Sequence, residues 1–399
     1  MERHGALENL VVLDLGRVLA APYCTSILAD MGARVIKVER PEIGDDSRQY
    51  GPYKNKESMY FTNINRNKEG ITLNMKTEEG KTILKELVKK ADVLVENFRP
   101  GVMDKLGLGY DVLKEVNPRL VYVEISGFGG YGRYSQRPGY DLLAQAMGGM
   151  MSLTGSRGGE PTRAGTSIGD LTAGINAALG ALAALNARTI TGRGQKVDVA
   201  LLDTMVVMLE NYMTRYRFSG EIPPRLGNAY SSIAPYDSFH AKDGDFVLGC
   251  GNQNLFNKFC EKVTGHTEWL KDPRFANNMI RTENADALKE LIEQWTTQYT
   301  VDEVVDLCLS NGVPAAPIFD LYQVTHDPHI VEDRGMFPEC DHPLVGKQYV
   351  NGDAIKMSDT PAHIYRHAPL LGENTDEILS GLLGYDPSKI EKLRSKKVL

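Results

Sequence analysis

One aspartate stands out as a candidate for covalent chemistry. Asp170 lies in the small-residue run 165–174, directly before an apolar stretch, 171–190, that predicts a helix. Because Asp is a preferred N-cap residue, simple capping is one interpretation of this position. Nucleophilic catalysis is the other, since a carboxylate held at a helix N-terminus stays ionised and small neighbours let a substrate approach. The residues alone leave both interpretations open.

The motifs of several other enzyme classes are missing or out of context. The chain has no Walker A, GxSxG or HExxH sequence, and its histidines and cysteines show no metal-ligand spacing. Residues 127–132 fit GxGxxG after a strand-like segment, but a polar loop containing Pro138 follows where a dinucleotide site needs a helix. We therefore expect a glycine-rich loop here, and no metal site.

Strand-like and helical segments alternate in the first half of the chain. β-Branched residues predict buried strands at 10–15, 34–39, 93–97 and 120–125, and helical spacing appears at 26–31 and 77–90. Such βα alternation predicts an α/β fold with a mostly parallel sheet that helices cover on both faces.

A smaller α+β unit is expected after the helical run 201–218 and the polar segment 219–225. Its signals are a hairpin turn at 242–244, an amphipathic pattern at 283–295 and a capping box that starts at Thr300. Beyond about residue 324 the chain is loop-rich, and it ends in two short helical patterns, 376–383 and 387–393.

Composition excludes several partners. The formal net charge of -7 offers no global field for a nucleic-acid backbone or an anionic membrane. The most apolar stretch, 179–185, is too short to span a bilayer and predicts a buried helix. Five scattered cysteines are typical of reduced thiols, so we expect a cytoplasmic protein.

An ordered set of blocks resembles the class III CoA transferases, which include formyl-CoA transferase and the carnitine and bile-acid CoA transferases. The resemblance covers nearly the whole chain. It is carried by residues 12–14, 20–22, 28–39, 44–48, 91–98 with 100–101, 138–141 with 144–146, 191–200 and 368–377.

The resemblance implies a large Rossmann-like domain, formed by residues 1–224 with the linker, and a smaller α+β domain, 225–325. A C-terminal segment, 326–399, is expected to return to the large domain. Members of the family form interlocked homodimers, so the resemblance also implies a homodimer.

The resemblance further places Asp170 on the catalytic aspartate of the family. It implies transfer of CoA from an acyl-CoA thioester to a small carboxylic acid, through an aspartyl anhydride and an aspartyl-CoA thioester. CoA thioester is then a substrate, and no permanently bound cofactor is implied.

Positions that contact CoA follow from the same resemblance. It implies Arg40 and Lys105 near the phosphates and Tyr140 in the active site, with the nucleotide and pantetheine path along Arg17, Ala20, Leu73, Asn97 and Phe98. Each position also has an ordinary interpretation: Lys105 as a solvated helix charge, and Phe98, Leu73 and Tyr140 as packing residues.

Two departures from the formyl-CoA transferase pattern disfavour formate and oxalate as substrates. Formyl-CoA transferases have different, polar residues at the positions of Arg17 and Leu19. They also have a tetraglycine loop, to which only residues 249–251 of this chain are similar. Two alternatives stay open. An α-methylacyl-CoA racemase needs a histidine where this chain has Tyr140, and tyrosine is a poor base at neutral pH. A non-catalytic acyl-CoA binder would not need Asp170.

Overall fold

The structure, a computed structural model, describes residues 5–399. Contacts between residues divide it into two compact units. The first comprises the described part of Met1–Met150 together with Arg163–Arg215 and Val331–Leu399, and the second comprises Met151–Thr162 and Tyr216–Ile330. The domain boundaries given by the sequence and its resemblance stay a prediction.

A six-stranded parallel sheet forms the centre of the first unit. The first eight strands of this unit are β1 Val11–Asp14, β2 Arg34–Glu39, β3 Tyr53–Lys54, β4 Glu57–Ser58, β5 Lys68–Thr72, β6 Val93–Glu96, β7 Val121–Ser126 and β8 Lys196–Ala200. The sheet order is β5-β2-β1-β6-β7-β8, while β3 and β4 pair as a separate short ribbon. The predicted α/β fold with a parallel sheet is confirmed.

Helices cover both faces of this sheet. The helices of this part of the chain are α1 Ala20–Asp30, α2 Met59–Ile64, α3 Glu78–Val88, α4 Val102–Lys105, α5 Tyr110–Val116, α6 Asp141–Met147, α7 Met150–Leu153, α8 Ile168–Thr191, α9 Leu201–Val207 and α10 Glu210–Ser219. Alternate residues of each strand point to opposite faces. In β1, Leu13 therefore packs with α3 and α5, whereas Val12 packs with α1 and α8.

The apolar helix is longer than the sequence predicts. Helix α8 runs for 24 residues, and by length and composition it could cross a membrane, although 39% of its most apolar window is buried in the protein. Core helices of soluble proteins pass the same test. Close packing explains its small residues: a Cβ at Gly174 would lie 2.8 Å from the carbonyl oxygen of Ala20 in α1.

The second unit has its own core. The three-stranded antiparallel sheet β11-β10-β9 consists of β9 Tyr236–His240, β10 Asp245–Gly249 and β11 Ala315–Pro317. Its helices are α11 Gln253–Lys258, α12 Asn278–Glu283, α13 Ala285–Thr296, α14 Val301–Ser310 and α15 Leu321–His326. The predicted hairpin and the Thr300–Glu303 capping box are both present.

The C-terminal part of the first unit returns to the edge of its sheet. It contains β12 Glu339–His342, β13 Gly346–Tyr349, α16 Thr375–Leu383 and α17 Pro387–Ser395. Beside the edge strand β5, the Asn67 amide donates to Arg366 O at 3.0 Å, and the Asn74 amide donates to Val398 O at 2.8 Å. Residues far apart in the chain therefore meet at this edge.

Candidate active site

Two cavities lie at the carboxyl ends of the parallel strands, where ligands of open α/β sheets usually bind. The larger cavity, of about 410 Å³, lies along the loops that follow β1, β2, β5 and β6. The smaller cavity, of about 190 Å³, lies along the loops after β1, β6 and β7, and Asp170 is among the residues that line it. Arg17 and Phe98 line both cavities, so the two share a wall.

The structure brings together eight of the nine residues singled out from the sequence. Asp170, Ala20, Asn97 and Tyr140 line the smaller cavity. Arg40 and Leu73 line the larger cavity, and Arg17 and Phe98 belong to both. Lys105, at the end of the short helix α4, is exposed and lines neither cavity.

The capping interpretation of Asp170 is wrong. Helix α8 begins at Ile168 with Ser167 as its N-cap, so Asp170 lies inside the first turn rather than before the helix. Within residues 5–399 the Asp170 carboxylate accepts no hydrogen bond, whereas a capping carboxylate would accept one from a backbone amide. The half-buried carboxylate is therefore free to meet a molecule in the smaller cavity.

The environment of Asp170 opposes its ionisation. Burial raises the pKa of Asp170 to about 7, and the nearby Asp141 carboxylate adds to this effect. The expectation that the helix N-terminus keeps this carboxylate ionised is thus not met, because burial and the charge of Asp141 both favour its protonated form. Near neutral pH the group still exists substantially as carboxylate.

Loops after β1 and β6 are joined by side-chain hydrogen bonds. Asn97 Oδ1 accepts from Arg17 N at 2.8 Å, and Asn97 Nδ2 donates to Arg17 O at 2.9 Å. The guanidinium of Arg17 contacts Asp46 Oδ2 at 2.9 Å, and Arg40 contacts Asp46 Oδ1 at 2.7 Å. Asp46 therefore holds two cations at the rims of the two cavities.

A buried ionic network supports the loop after β1. Lys68 Nζ lies 2.9 Å from Asp14 Oδ2, and Lys37 Nζ lies 2.9 Å from Asp45 Oδ2, with all four side chains almost fully buried. Lys37 also donates to Gly16 O, and Asp45 accepts from the amide of Val18, whose φ is +65°. These bonds fix an unusual backbone conformation beside Arg17.

Charge compensation within the network is uneven. Burial alone would raise the pKa of Asp14, but Lys37 and Lys68 reverse this and leave it lowered. Burial lowers the pKa of Lys68 to about 8, although Asp14 opposes the shift. The network is therefore sensitive to the loss of any one carboxylate.

Sequence reasoning missed several residues of the site. Asp141 was visible only as part of the 138–141 block, and the cavity-lining Lys76, Arg99, Arg137 and Lys397 carried no distinguishing pattern. Lys37 alternates with apolar residues in its strand, and Lys68 lies in the polar run 65–69; both patterns are typical of a solvent-facing side chain. Only the tertiary structure shows that both are buried.

Other kinds of site find less support. After β7 the chain continues as a loop until α6 begins at Asp141, so the GxGxxG stretch opens no helix. Across residues 5–399, no group of three or more His, Cys, Asp or Glu side chains is arranged to hold a metal ion.

Comparison with known proteins gives consistent matches. A family model described as CoA-transferase family III matches residues 7–375. The acetyl-CoA:oxalate CoA-transferase of Acetobacter aceti is 44% identical over 372 residues, which is 92% of this chain and 94% of that protein. The succinyl-CoA:glutarate CoA-transferase of Mus musculus is 39% identical over 397 residues, which is 98% of this chain and 90% of that protein.

A solved structure shows the same fold. The crystal structure of a CAIB/BAIF family protein from Brucella suis superposes with a TM-score of 0.83 at 40% identity, covering 95% of this chain and 100% of that chain.

Proposed function

Since this chain belongs to CoA-transferase family III and is a CoA-transferase, we propose that Asp170 is the nucleophile that carries an acyl group and then CoA between two carboxylic acids. The observation that carries the proposal is the state of the Asp170 side chain. It is half-buried, lines the smaller cavity and accepts no hydrogen bond within residues 5–399.

Such a carboxylate suits covalent catalysis. A desolvated carboxylate with a raised pKa is a stronger nucleophile than an ordinary aspartate, and it needs no hydrogen bond to be broken before it attacks. With a pKa of about 7, a large part of it is ionised at neutral pH.

The proposed reaction exchanges one thioester for another. Asp170 Oδ attacks the acyl carbon of the donor thioester, the C–S bond breaks, and a mixed anhydride and CoA thiolate form. The thiolate attacks the aspartyl carbonyl carbon and releases the first acid, which leaves an aspartyl-CoA thioester. The incoming carboxylate attacks this thioester, forms a second anhydride with Asp170 and frees the thiolate. The thiolate then attacks the acyl carbon of that anhydride, which forms the new acyl-CoA and restores the Asp170 carboxylate. Atoms and charge balance, and no nucleotide is consumed.

A dicarboxylic acid is the proposed acceptor. The two relatives described above are named for oxalate and glutarate, both of which carry a second carboxylate. Arg99 and Arg137 line the smaller cavity, and a guanidinium is suited to bind the carboxylate that does not react. Oxalate belongs in the test panel, because the 44% identical relative weakens the sequence argument against it.

The nucleotide end of CoA is proposed to occupy the larger cavity. Arg40, Lys76 and Lys397 line it and offer cations to phosphates, while Leu73 and Phe98 offer apolar surface. Pantetheine would then pass Arg17 and Asn97 toward Asp170. Lys105 lines neither cavity, so its proposed phosphate contact has less support than that of Arg40.

A homodimer is proposed from exposed apolar side chains on α8 and α9. Leu179 is 64% exposed and Val207 is 81% exposed, which is costly in water unless another surface covers them. The family resemblance favours a second copy of this chain as that surface. Light scattering should give twice the monomer mass, and Val207→Asp should reduce it; a fully active wild-type monomer would remove the proposal.

The proposed location is the cytoplasm. Cys24, Cys250, Cys260, Cys308 and Cys340 are all free and buried, which suits a reducing compartment. We propose no nucleic-acid or membrane partner.

Trapping of the acyl-enzyme tests the proposed function. Wild type and Asp170→Asn are mixed with acetyl-CoA or succinyl-CoA, treated with hydroxylamine and measured by intact-protein mass spectrometry. A hydroxamate at Asp170 in wild type alone, with CoA passing to oxalate or glutarate, is the expected result. Exchange of the substrate α-proton without a hydroxamate would favour a racemase, and CoA binding without either reaction would favour a binder.

A further inference from the structure

The side chain of Asp141 contacts the first turn of α8, the helix that carries Asp170. Asp141 opens α6, is 8% exposed, and its Oδ1 accepts from Gly169 N at 2.7 Å and from Asp170 N at 3.4 Å. Its Oδ2 accepts from Gln145 Nε2 at 2.7 Å. Both carboxylate oxygens of Asp141 are therefore engaged inside the protein.

Gln145 extends this contact to a third segment. The side chain is fully buried, and its Oε1 accepts from Ala164 N at 2.9 Å. A chain of hydrogen bonds thus joins the segment ahead of α8, helix α6 and the first turn of α8. Because Gln145 donates through one end and accepts through the other, its orientation is fixed by both partners.

This arrangement replaces an ordinary helix cap. The first amides of a helix lack partners within the helix, and a side chain at the N-cap usually satisfies one of them. The N-cap residue of α8, Ser167, makes no such bond, and Asp141 satisfies the Gly169 amide from a neighbouring helix instead. Asp170 is consequently not needed as a cap.

We propose that Asp141, supported by Gln145, is a positioning residue of the transfer reaction, which anchors the first turn of α8 and holds a second negative charge beside the Asp170 carboxylate. This inference rests on the proposed function of Asp170. Because Asp141 caps the first turn of α8, the Asp170 carboxylate stays free of hydrogen bonds within residues 5–399 and remains available to attack a thioester.

Other groups around Asp170 bear on its charge. Tyr60, on helix α2, is close to Asp170. Burial is the main cause that raises the pKa of Tyr60 to about 12, and the Asp170 carboxylate adds to it. The remaining ionisable groups that line the smaller cavity are Arg17, Asp46, Tyr50, Arg99, Arg137 and Tyr140. Of all these neighbours, Asp141 is the one whose charge raises the pKa of Asp170 in addition to burial.

Asp141→Asn tests the charge while keeping an acceptor for the Gly169 amide. In wild type, kcat/KM should rise with pH through a midpoint near 7, because the nucleophile must be ionised. Removing the like charge should move this midpoint down by on the order of one pH unit and lower kcat at pH 8, because a less basic carboxylate is a weaker nucleophile. KM for acyl-CoA should change little.

Gly169→Ala tests the contact from the other side. An added Cβ would lie 2.9 Å from Asp141 Oδ1, so the carboxylate must move away, while alanine itself favours the helix. The same downward shift of the midpoint is expected. Asp203→Asn is a matched control on α9, and it should leave the midpoint unchanged because Asp203 is not among the groups that shift Asp170.

The outcomes separate this inference from the proposed function. A hydroxamate in wild type with unchanged midpoints in Asp141→Asn and Gly169→Ala would overturn the role of Asp141 and leave the role of Asp170 intact. Absence of the wild-type hydroxamate would overturn the proposed function itself. If Asp141→Asn does not fold, the Gly169→Ala profile decides.

Discussion

The side chain of Asn97 forms two hydrogen bonds with the backbone of Arg17, one to its amide at 2.8 Å and one to its carbonyl at 2.9 Å. These residues lie 80 positions apart and follow two adjacent parallel strands. The pair therefore fixes the spacing of two loops that line the smaller cavity.

Asn97→Ala should weaken substrate binding more than a comparable loss of folding stability elsewhere in the protein would. Loss of both bonds frees the loop at Arg17, so we expect KM for acyl-CoA to rise about tenfold, equivalent to about 1.4 kcal/mol. Asn117→Ala is a matched control, because Asn117 also donates to two backbone carbonyls, those of Val88 and Ala91, away from both cavities. It should lower Tm similarly and leave KM unchanged; equal KM values for the two variants would contradict the prediction.

Arg40→Ala and Lys105→Ala should differ in their effect on CoA binding. Arg40 lines the larger cavity and Lys105 lines neither, although both were predicted near phosphates. We expect a several-fold rise in the Kd for CoA in Arg40→Ala, with a weaker salt dependence, and little change in Lys105→Ala. Isothermal titration calorimetry at two salt concentrations makes this comparison. A larger effect in Lys105→Ala would show that phosphate binds elsewhere.

Asp170→Asn should stabilise the protein increasingly as pH rises. The pKa of Asp170 is raised to about 7 in the folded state, from 3.8 as the ordinary value, so the folded protein holds its proton more tightly. Between these two values the wild type therefore loses stability with rising pH, while the asparagine variant does not.

Urea unfolding of wild type and Asp170→Asn at pH 4 and pH 8 measures this difference. The stability advantage of the variant should be small at pH 4 and largest at pH 8. As a control, Asp111→Asn removes an exposed carboxylate whose pKa Lys114 lowers, so it should bring no stability advantage that grows with pH. An advantage that is the same at both pH values would refute the raised pKa.

Asp14→Asn should be strongly destabilising. It leaves Lys68 with one buried charge partner fewer, at a site where both side chains are fully buried, and the expected cost is about 3–5 kcal/mol. Equilibrium unfolding measures the loss. Asp111→Asn removes an exposed partner of Lys114 and should produce no measurable change, because solvent already screens that pair. A comparable loss in both variants would argue against a special role for the buried network.

Local patterns predicted much of the fold. Strand β2 has the predicted bounds, and α3 starts after its predicted cap, Thr77, because apolar periodicity and capping chemistry act within a few residues. The start of α8 was placed three residues late, since Gly169 has low helix propensity and hides the first turn. Helix α1 was only partly predicted, because Pro22 near its start weakens the helical pattern.

The site depended more on resemblance and on tertiary contacts. Asp170 was singled out from the residues around it, and the resemblance implied a catalytic role for it, but its free carboxylate and its neighbour Asp141 were not predicted. Capping of one helix by a residue of another has no signature in nearby sequence, because the partners are 28 residues apart. The burial of Lys68 likewise depends on a charge 54 residues away, that of Asp14 in β1, while Lys37 pairs with Asp45 in the loop after its own strand.

The return of the C-terminal segment has a consequence for biosynthesis. Lys397 lines the larger cavity, and its backbone carbonyl lies beside Asn74, 323 residues earlier. A ribosome makes the chain in one direction, so a nascent polypeptide displays the sheet edge at β5 long before the residues that complete it emerge. The lining of the larger cavity therefore stays incomplete during most of translation, until residue 397 has left the ribosome.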